Sequence, residues 1–95
     1  MVKPELETQR RNRERIYYDI LSSIINQEKK GYTRITRVQN EVNLPSDRLR
    51  RHLREMQQLK LLNHNSALRS TPKGRAFVFR YKRILEVLKR FGLAD

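Results

Sequence analysis

The chain has 95 residues, enough for one compact domain with a modest core and too few for two. It carries 22 Lys and Arg against 10 Asp and Glu, a net charge of +12, so a polyanion, nucleic acid first, is the partner its charge favours. The absence of cysteine excludes a disulfide framework, thiolate zinc sites and thiol nucleophiles, and the longest apolar run, Ala76 to Phe79, falls far short of the roughly 18 residues that a bilayer span needs.

With 37% apolar and 34% charged residues and only three Gly and three Pro, the composition fits a helix-rich globular domain better than a disordered basic tail. Residues 1–15 are polar and lack the apolar stretch of a secretory signal, so a soluble, cytoplasmic protein is expected, nucleoid-associated if it binds DNA. Residues 1–12, where Val2 and Leu6 are the main apolar side chains, read as a flexible basic lead-in. Arg10, Arg11, Arg13 and Arg15 fit either delocalised phosphate contacts or a solvated charge run.

From Arg13 to Lys29, the apolar residues Ile16, Tyr17, Ile20, Leu21 and Ile24 recur at three- and four-residue spacings, with Tyr18 and Ile25 on the flanks, which predicts an amphipathic helix. Lys29-Lys30-Gly31 should end it, because cations suit a helix C-terminus and glycine takes positive φ. Tyr32 to Ile35 alternate apolar and polar side chains, as in a short extended segment. Thr36 followed by Gln39 forms a capping-box pattern that starts a short helix burying Val38 and Val42. Asn43-Leu44-Pro45 stops that helix, and Ser46 is placed to cap the next one. That helix runs to about Gln58 and buries Leu49, Leu53 and Met56. Leu61 to Asn65 and Ser66 to Ser70 read as a small hairpin, with asparagines at the turn. Thr71-Pro72 then reads as N-cap and first helical residue of a last helix, which continues to about Phe91 and stops at Gly92.

Helix, extended segment, helix, tight turn, helix, hairpin and helix in that order make a mainly α fold with a small β-hairpin, the winged helix-turn-helix arrangement. The expected division is a lead-in over 1–12, the winged helix-turn-helix domain over 13–71 and a long terminal helix over 72–92. Thr36-Arg37-Val38 through Asn43-Leu44, then Leu49, Leu53, Met56, Leu61-Leu62, Leu68 and Thr71-Pro72-Lys73-Gly74, resemble the small archaeal winged-helix DNA-binding proteins, which include chromatin-associated homodimers. The resemblance spans residues 13–90 and implies pairing through an antiparallel terminal helix. One departure is the segment Gln58 to Lys60, where such proteins commonly turn through a glycine and this chain has none.

On a helical wheel of residues 46–58, Asp47, Arg50, Arg51, Arg54 and Gln58 lie opposite the apolar stripe. Arginine forks suit guanine edges or phosphates and glutamine suits adenine, so this face, together with Ser46 at its start, is the candidate reader of double-stranded DNA. Asp47 and Glu55 temper this face and are positioned to orient neighbouring arginines. Thr36 and Arg37 fit either a phosphate contact or plain capping. His64, Asn65 and Arg69 in the hairpin are candidates for contacts to the backbone or the minor groove.

In the last helix, Phe77, Tyr81, Ile84, Leu88 and Phe91, with Val78 and Leu85 alongside, follow a coiled-coil spacing, so a homodimer seam is expected. Phe79 falls on the opposite, charged face. His52 reads as a helix-flank residue, and with His64 twelve positions away, no metal site, cofactor or small-molecule ligand is expected. No nucleophile motif or phosphate loop points to an enzyme. The expectation is a homodimeric transcriptional regulator, with a sequence-tolerant chromatin protein and a protein-interaction module as alternatives. RNA binding ranks lower, because the aromatics fall mostly at expected core or seam positions.

Overall fold

The computed structural model describes residues 11–93; Arg10 and the expected lead-in over residues 1–10 lie outside that range. The lead-in was expected to extend through residue 12, but the fold already holds Arg11 and Asn12. Asn12 caps helix α1 (Arg13–Lys29) by accepting from the backbone N–H of Arg15 at 2.7 Å. Arg11 donates to Asp19 at 2.8 Å and to the carbonyl of Val42 at 2.9 Å, which ties the segment before α1 to a later helix.

Four further elements come in the expected order: α2 (Ile35–Val42), α3 (Ser46–Gln58), the hairpin β1 (Leu62–His64) and β2 (Leu68–Ser70), and α4 (Pro72–Arg90). The strands pair antiparallel with Asn63 opposite Arg69, making a two-stranded sheet. Tyr32 to Arg34 form no strand, although Arg34 itself is extended, and Ile35 belongs to the helix.

Ile16, Tyr17, Ile20, Leu21 and Ile24 of α1 meet Val38, Val42, Leu49, Leu53, Met56, Leu62 and Leu68 in one core. Ile20, Leu21, Ile24, Leu49, Met56 and Leu62 are fully buried. Each such side chain contributes about 1.5–3 kcal/mol relative to exposure, so the positions of α2 and α3 against α1 are strongly determined.

Two expected caps are corrected. α2 begins at Ile35 with Arg34 at its N-cap, and α3 begins at Ser46 with Pro45 at its N-cap, neither with a side-chain cap bond. Thr36 and Ser46 are therefore helical residues and not caps. The two α3-flanking turns use positive φ at non-glycine residues, Asn43 at 58° and Lys60 at 63°. Asparagine tolerates this geometry through its short polar side chain. Lys60 supplies the turn for which the sequence lacks glycine: its N–H reaches the Gln57 carbonyl at 3.0 Å and that of Leu61 reaches Met56 at 2.9 Å. This is the Schellman pattern, with Leu61 and Met56 both buried. The same pairing recurs at the end of α4, from Gly92 to Lys89 and from Leu93 to Leu88.

The Thr71-Pro72-Lys73-Gly74 sequence joins the end of α3 to the start of α4. Thr71 Oγ1 accepts from the Gly74 N–H at 3.0 Å and donates to the Lys60 carbonyl at 2.7 Å, while Lys73 donates to the Leu59 carbonyl at 2.7 Å. Gly74 is buried against the Leu61 backbone, where an added Cβ would lie 2.1 Å from the carbonyl oxygen.

Candidate nucleic-acid interface

α3 is held by its inner face and offers its outer one. Leu49, Leu53 and Met56 seat it in the core, while Asp47, Arg50, Arg51, Arg54 and Gln58 are exposed, as is Gln57, which sequence reasoning passed over. Among the described residues, Arg50, Arg51 and Arg54 join no ion pair, so their guanidinium groups are available to an external anion. Asp47 stands in the first turn of α3, where the helix dipole favours a carboxylate. Arg48 is half-buried beside Arg11, Asn43 and Pro45.

Glu55 does not orient the arginines. Its Oε1 accepts from the Tyr17 hydroxyl at 2.9 Å and lies 3.2 Å from His52 Nδ1, while the Tyr17 and His52 rings meet edge to face at 5.9 Å. Buried His52 is thus part of the α1–α3 contact, not a helix-flank residue. Burial, followed by the bond to Glu55, pushes the Tyr17 hydroxyl up to about 12, and that same bond holds Glu55 below the usual carboxylate range. This polar lock fixes the rotation of α3 about its own axis, and with it the direction of its arginines.

At α2, Thr36 and Arg37 are exposed, and the Arg37 Nε lies 3.9 Å from Glu41, too far for a strong hydrogen bond. Across the hairpin, His64, Asn65 and Arg69 are exposed. Its inner edge is fixed by Glu28 of α1, which accepts from the Ser70 N–H at 2.8 Å and from its hydroxyl at 2.7 Å. Arg75 of α4 donates to the Ser70 carbonyl at 3.2 Å and to its Oγ at 3.0 Å. Three outward surfaces, on α2, α3 and the hairpin, are therefore each fastened to α1 or α4.

A family model described as winged helix-turn-helix matches residues 10–89. The chain belongs to the winged helix-turn-helix family. Neither the curated proteins nor the solved structures yielded a match. A winged helix-turn-helix domain points to DNA binding; in this one α2 and α3 form the helix-turn-helix and the hairpin forms the wing. Among the described residues no helix is long and apolar enough to cross a membrane, and no group of His, Asp and Glu could hold a metal ion.

The terminal helix of this winged helix divides its expected seam into two parts. Phe77, Val78, Tyr81 and Leu85 are wholly or partly buried within the chain; Phe77 stacks on Tyr81 at 5.5 Å, and Tyr81 packs on Tyr18 of α1 at 5.3 Å. Those four positions thus contribute to the chain's own packing. Ile84 and Phe91 remain 51% and 75% exposed, with Leu88 half-buried beside them. Val87, missing from the expected seam, is 45% exposed and joins Ile84 and Leu88 on one apolar surface, a signal available in its spacing of three from Ile84. Phe79 is 64% exposed, with the Arg83 guanidinium 5.2 Å from its ring centroid.

Proposed function

We propose that this protein is a homodimeric, DNA-binding transcriptional regulator that places α3 in the major groove. The observation that carries this reading is the unpaired, outward row of Arg50, Arg51 and Arg54 on a helix locked from behind by Leu49, Leu53, Met56 and the Tyr17–Glu55–His52 contact. Such a row suits bidentate guanine contacts or phosphate clamping, and the locked helix keeps the ordering cost of binding low. Gln57 and Gln58 supply adenine-reading groups on the same helix. Arg37 with Thr36 on α2, and His64, Asn65 and Arg69 on the wing, then meet the flanking backbone.

The exposed surface of Ile84, Val87, Leu88 and Phe91 supports pairing with a second copy. α4 spans about 28 Å at 1.5 Å per residue, and its second half carries large apolar side chains that the chain's own core leaves uncovered. A paired helix also sets a fixed distance between two copies of α3, as half-site recognition requires. In this reading the protein acts by binding and not by catalysis, and in a cell it sits on the nucleoid, in keeping with the archaeal winged-helix proteins that its motifs resemble.

Binding to a random-sequence duplex and to a selected-sequence pool across a salt series tests the proposal. A regulator prefers a selected motif by about a thousandfold or more, and each phosphate contact removed lowers the salt slope by about 0.9. Replacing Arg50, Arg51 and Arg54 together by alanine should abolish that preference while leaving the fold intact. Steep salt dependence without a selected motif would replace the regulator with a sequence-tolerant chromatin protein. Unchanged affinity in the triple variant would remove α3 from the interface.

A further inference from the structure

Between the end of α1 and the start of α2 lies a cleft of about 570 Å³, of whose lining the reading above uses only Thr36 and Arg37. Its size falls within the roughly 300–1,000 Å³ of small-ligand pockets. Its lining is polar and cationic: Lys30, Arg34 and Arg37 share it with the Thr36 hydroxyl, the Asn40 amide and the ring of Tyr32. Glu41 is the carboxylate in that lining. Its Oε1 already accepts from Ser23 at 2.6 Å, and its Oε2 is 3.9 Å from Arg37. Among the described residues Lys30 and Arg34 have no ion-pair partner. Three cations gathered around one committed carboxylate leave the cleft suited to an anion.

Tyr32 narrows the anion's identity. Its ring is 65% exposed, and the Arg34 guanidinium lies 5.0 Å from the ring centroid and donates to the phenolic oxygen. The loop beneath is held firmly: the Arg34 N–H donates to Gln27 Oε1 at 2.8 Å, and buried Gln27 in turn donates to Ser23 at 3.1 Å. An exposed aromatic ring on a fixed loop beside a cation cluster is what a stacked base with an attached phosphate requires.

We propose that this cleft binds a nucleoside phosphate, the phosphate among Lys30, Arg34 and Arg37 and the base stacked on Tyr32. The ligand is either a free nucleotide or one nucleotide of a single strand, which share this chemistry. The site is separate from the outer face of α3 and does not depend on that face reading DNA.

The test is amide-resolved NMR titration of the full chain with AMP, with inorganic phosphate and with a short thymidylate oligonucleotide. AMP should move the resonances of Tyr32, Arg34 and Arg37 saturably and bind more tightly than phosphate alone. Tyr32→Ala, at an exposed position, should weaken AMP at least about fivefold and leave phosphate binding unchanged. Tighter binding of the oligonucleotide at the same residues identifies a strand as the source; equal or tighter binding of AMP identifies a free nucleotide. The triple alanine variant of Arg50, Arg51 and Arg54 should retain the AMP response. Equal affinity for AMP and phosphate, no effect of Tyr32→Ala, or loss of the AMP response in that α3 variant would each overturn the proposal.

Discussion

Gly74→Ala tests the joint between α4 and the rest of the domain. The added methyl group would sit 2.1 Å from the Leu61 carbonyl oxygen, 3.1 Å from its carbonyl carbon and 3.2 Å from Leu21 Cδ2. An ordinary carbon–oxygen contact is near 3.3 Å, so α4 must retreat by about 1 Å. The oxygen cannot swing away, because it belongs to the backbone and accepts from the Thr71 N–H at 3.3 Å. Overpacking of this kind costs about 1–3 kcal/mol and more where backbone must move, against a gain of about 1 kcal/mol in helix propensity. The expected net loss is about 2 kcal/mol, or about 8–16 °C in Tm for a domain of this size, read by circular dichroism at fixed protein concentration. Gly92→Ala provides the contrast. Its site is open but has φ of 72°, so only the conformational cost of about 1–2 kcal/mol applies. A Tm for Gly74→Ala at or above that of the parent would refute the close approach of α4 to Leu61.

Lys60→Gly should stabilise the chain by about 0.5–1 kcal/mol, since the φ of 63° disfavours a side chain while both backbone bonds of the turn persist; chemical denaturation reads it, and a destabilised variant would contradict the assignment of the turn. Ile84→Glu combined with Val87→Glu should convert a dimer to the 11.5 kDa chain in light scattering with thermal unfolding preserved, and a persistent dimer would show that pairing lies elsewhere. Tyr17 holds its proton more tightly when folded, up to about 12 against an ordinary 10.0, so its contribution to stability is intact below pH 10 and lost as pH rises towards 12. Tyr17→Phe should flatten that alkaline decline in urea unfolding curves, and an identical slope in both proteins would disprove the coupling.

Apolar spacing made the helices legible, because Ile16, Ile20 and Ile24, like Leu49, Leu53 and Met56, record which face meets the core. Thr71-Pro72 was equally readable, being a local cap that needs no partner from elsewhere in the chain. Thr36 and Ser46 misled as caps for the opposite reason: packing of Val38 and Leu49 starts those helices without a side-chain bond at the end. The outer face of α3 followed from its inner one, as any amphipathic helix allows. What stayed hidden depends on tertiary neighbours. His52 looks like a surface residue until Tyr17 of α1 is placed beside it, and Tyr32 looks like part of a strand until Gln27 fastens Arg34, two residues on. The terminal helix has one apolar stripe in its spacing, which does not report whether the cover comes from the same chain; here the core covers Phe77 and Tyr18 of α1 packs on Tyr81.

The acidic side chains described above are mostly engaged by partners within the fold. Asp19 receives Arg11 and Arg15, Glu28 holds Ser70, Glu41 accepts from Ser23, and Glu55 binds Tyr17 and His52. Among the described cations, only Arg11, Arg15 and Arg37 share an ion pair with a carboxylate. Folding therefore separates the two signs, and an approaching polyanion meets a field more positive than the net charge alone conveys. Encounter with such a partner is electrostatically steered: the association rate should exceed that of a neutral surface by an order of magnitude or more and fall steeply as salt is added. Converting Glu28 or Glu55 to its amide would weaken a joint of the scaffold while adding to that attraction, so in these positions the same carboxylates that hold the domain together also set how fast it finds its partner.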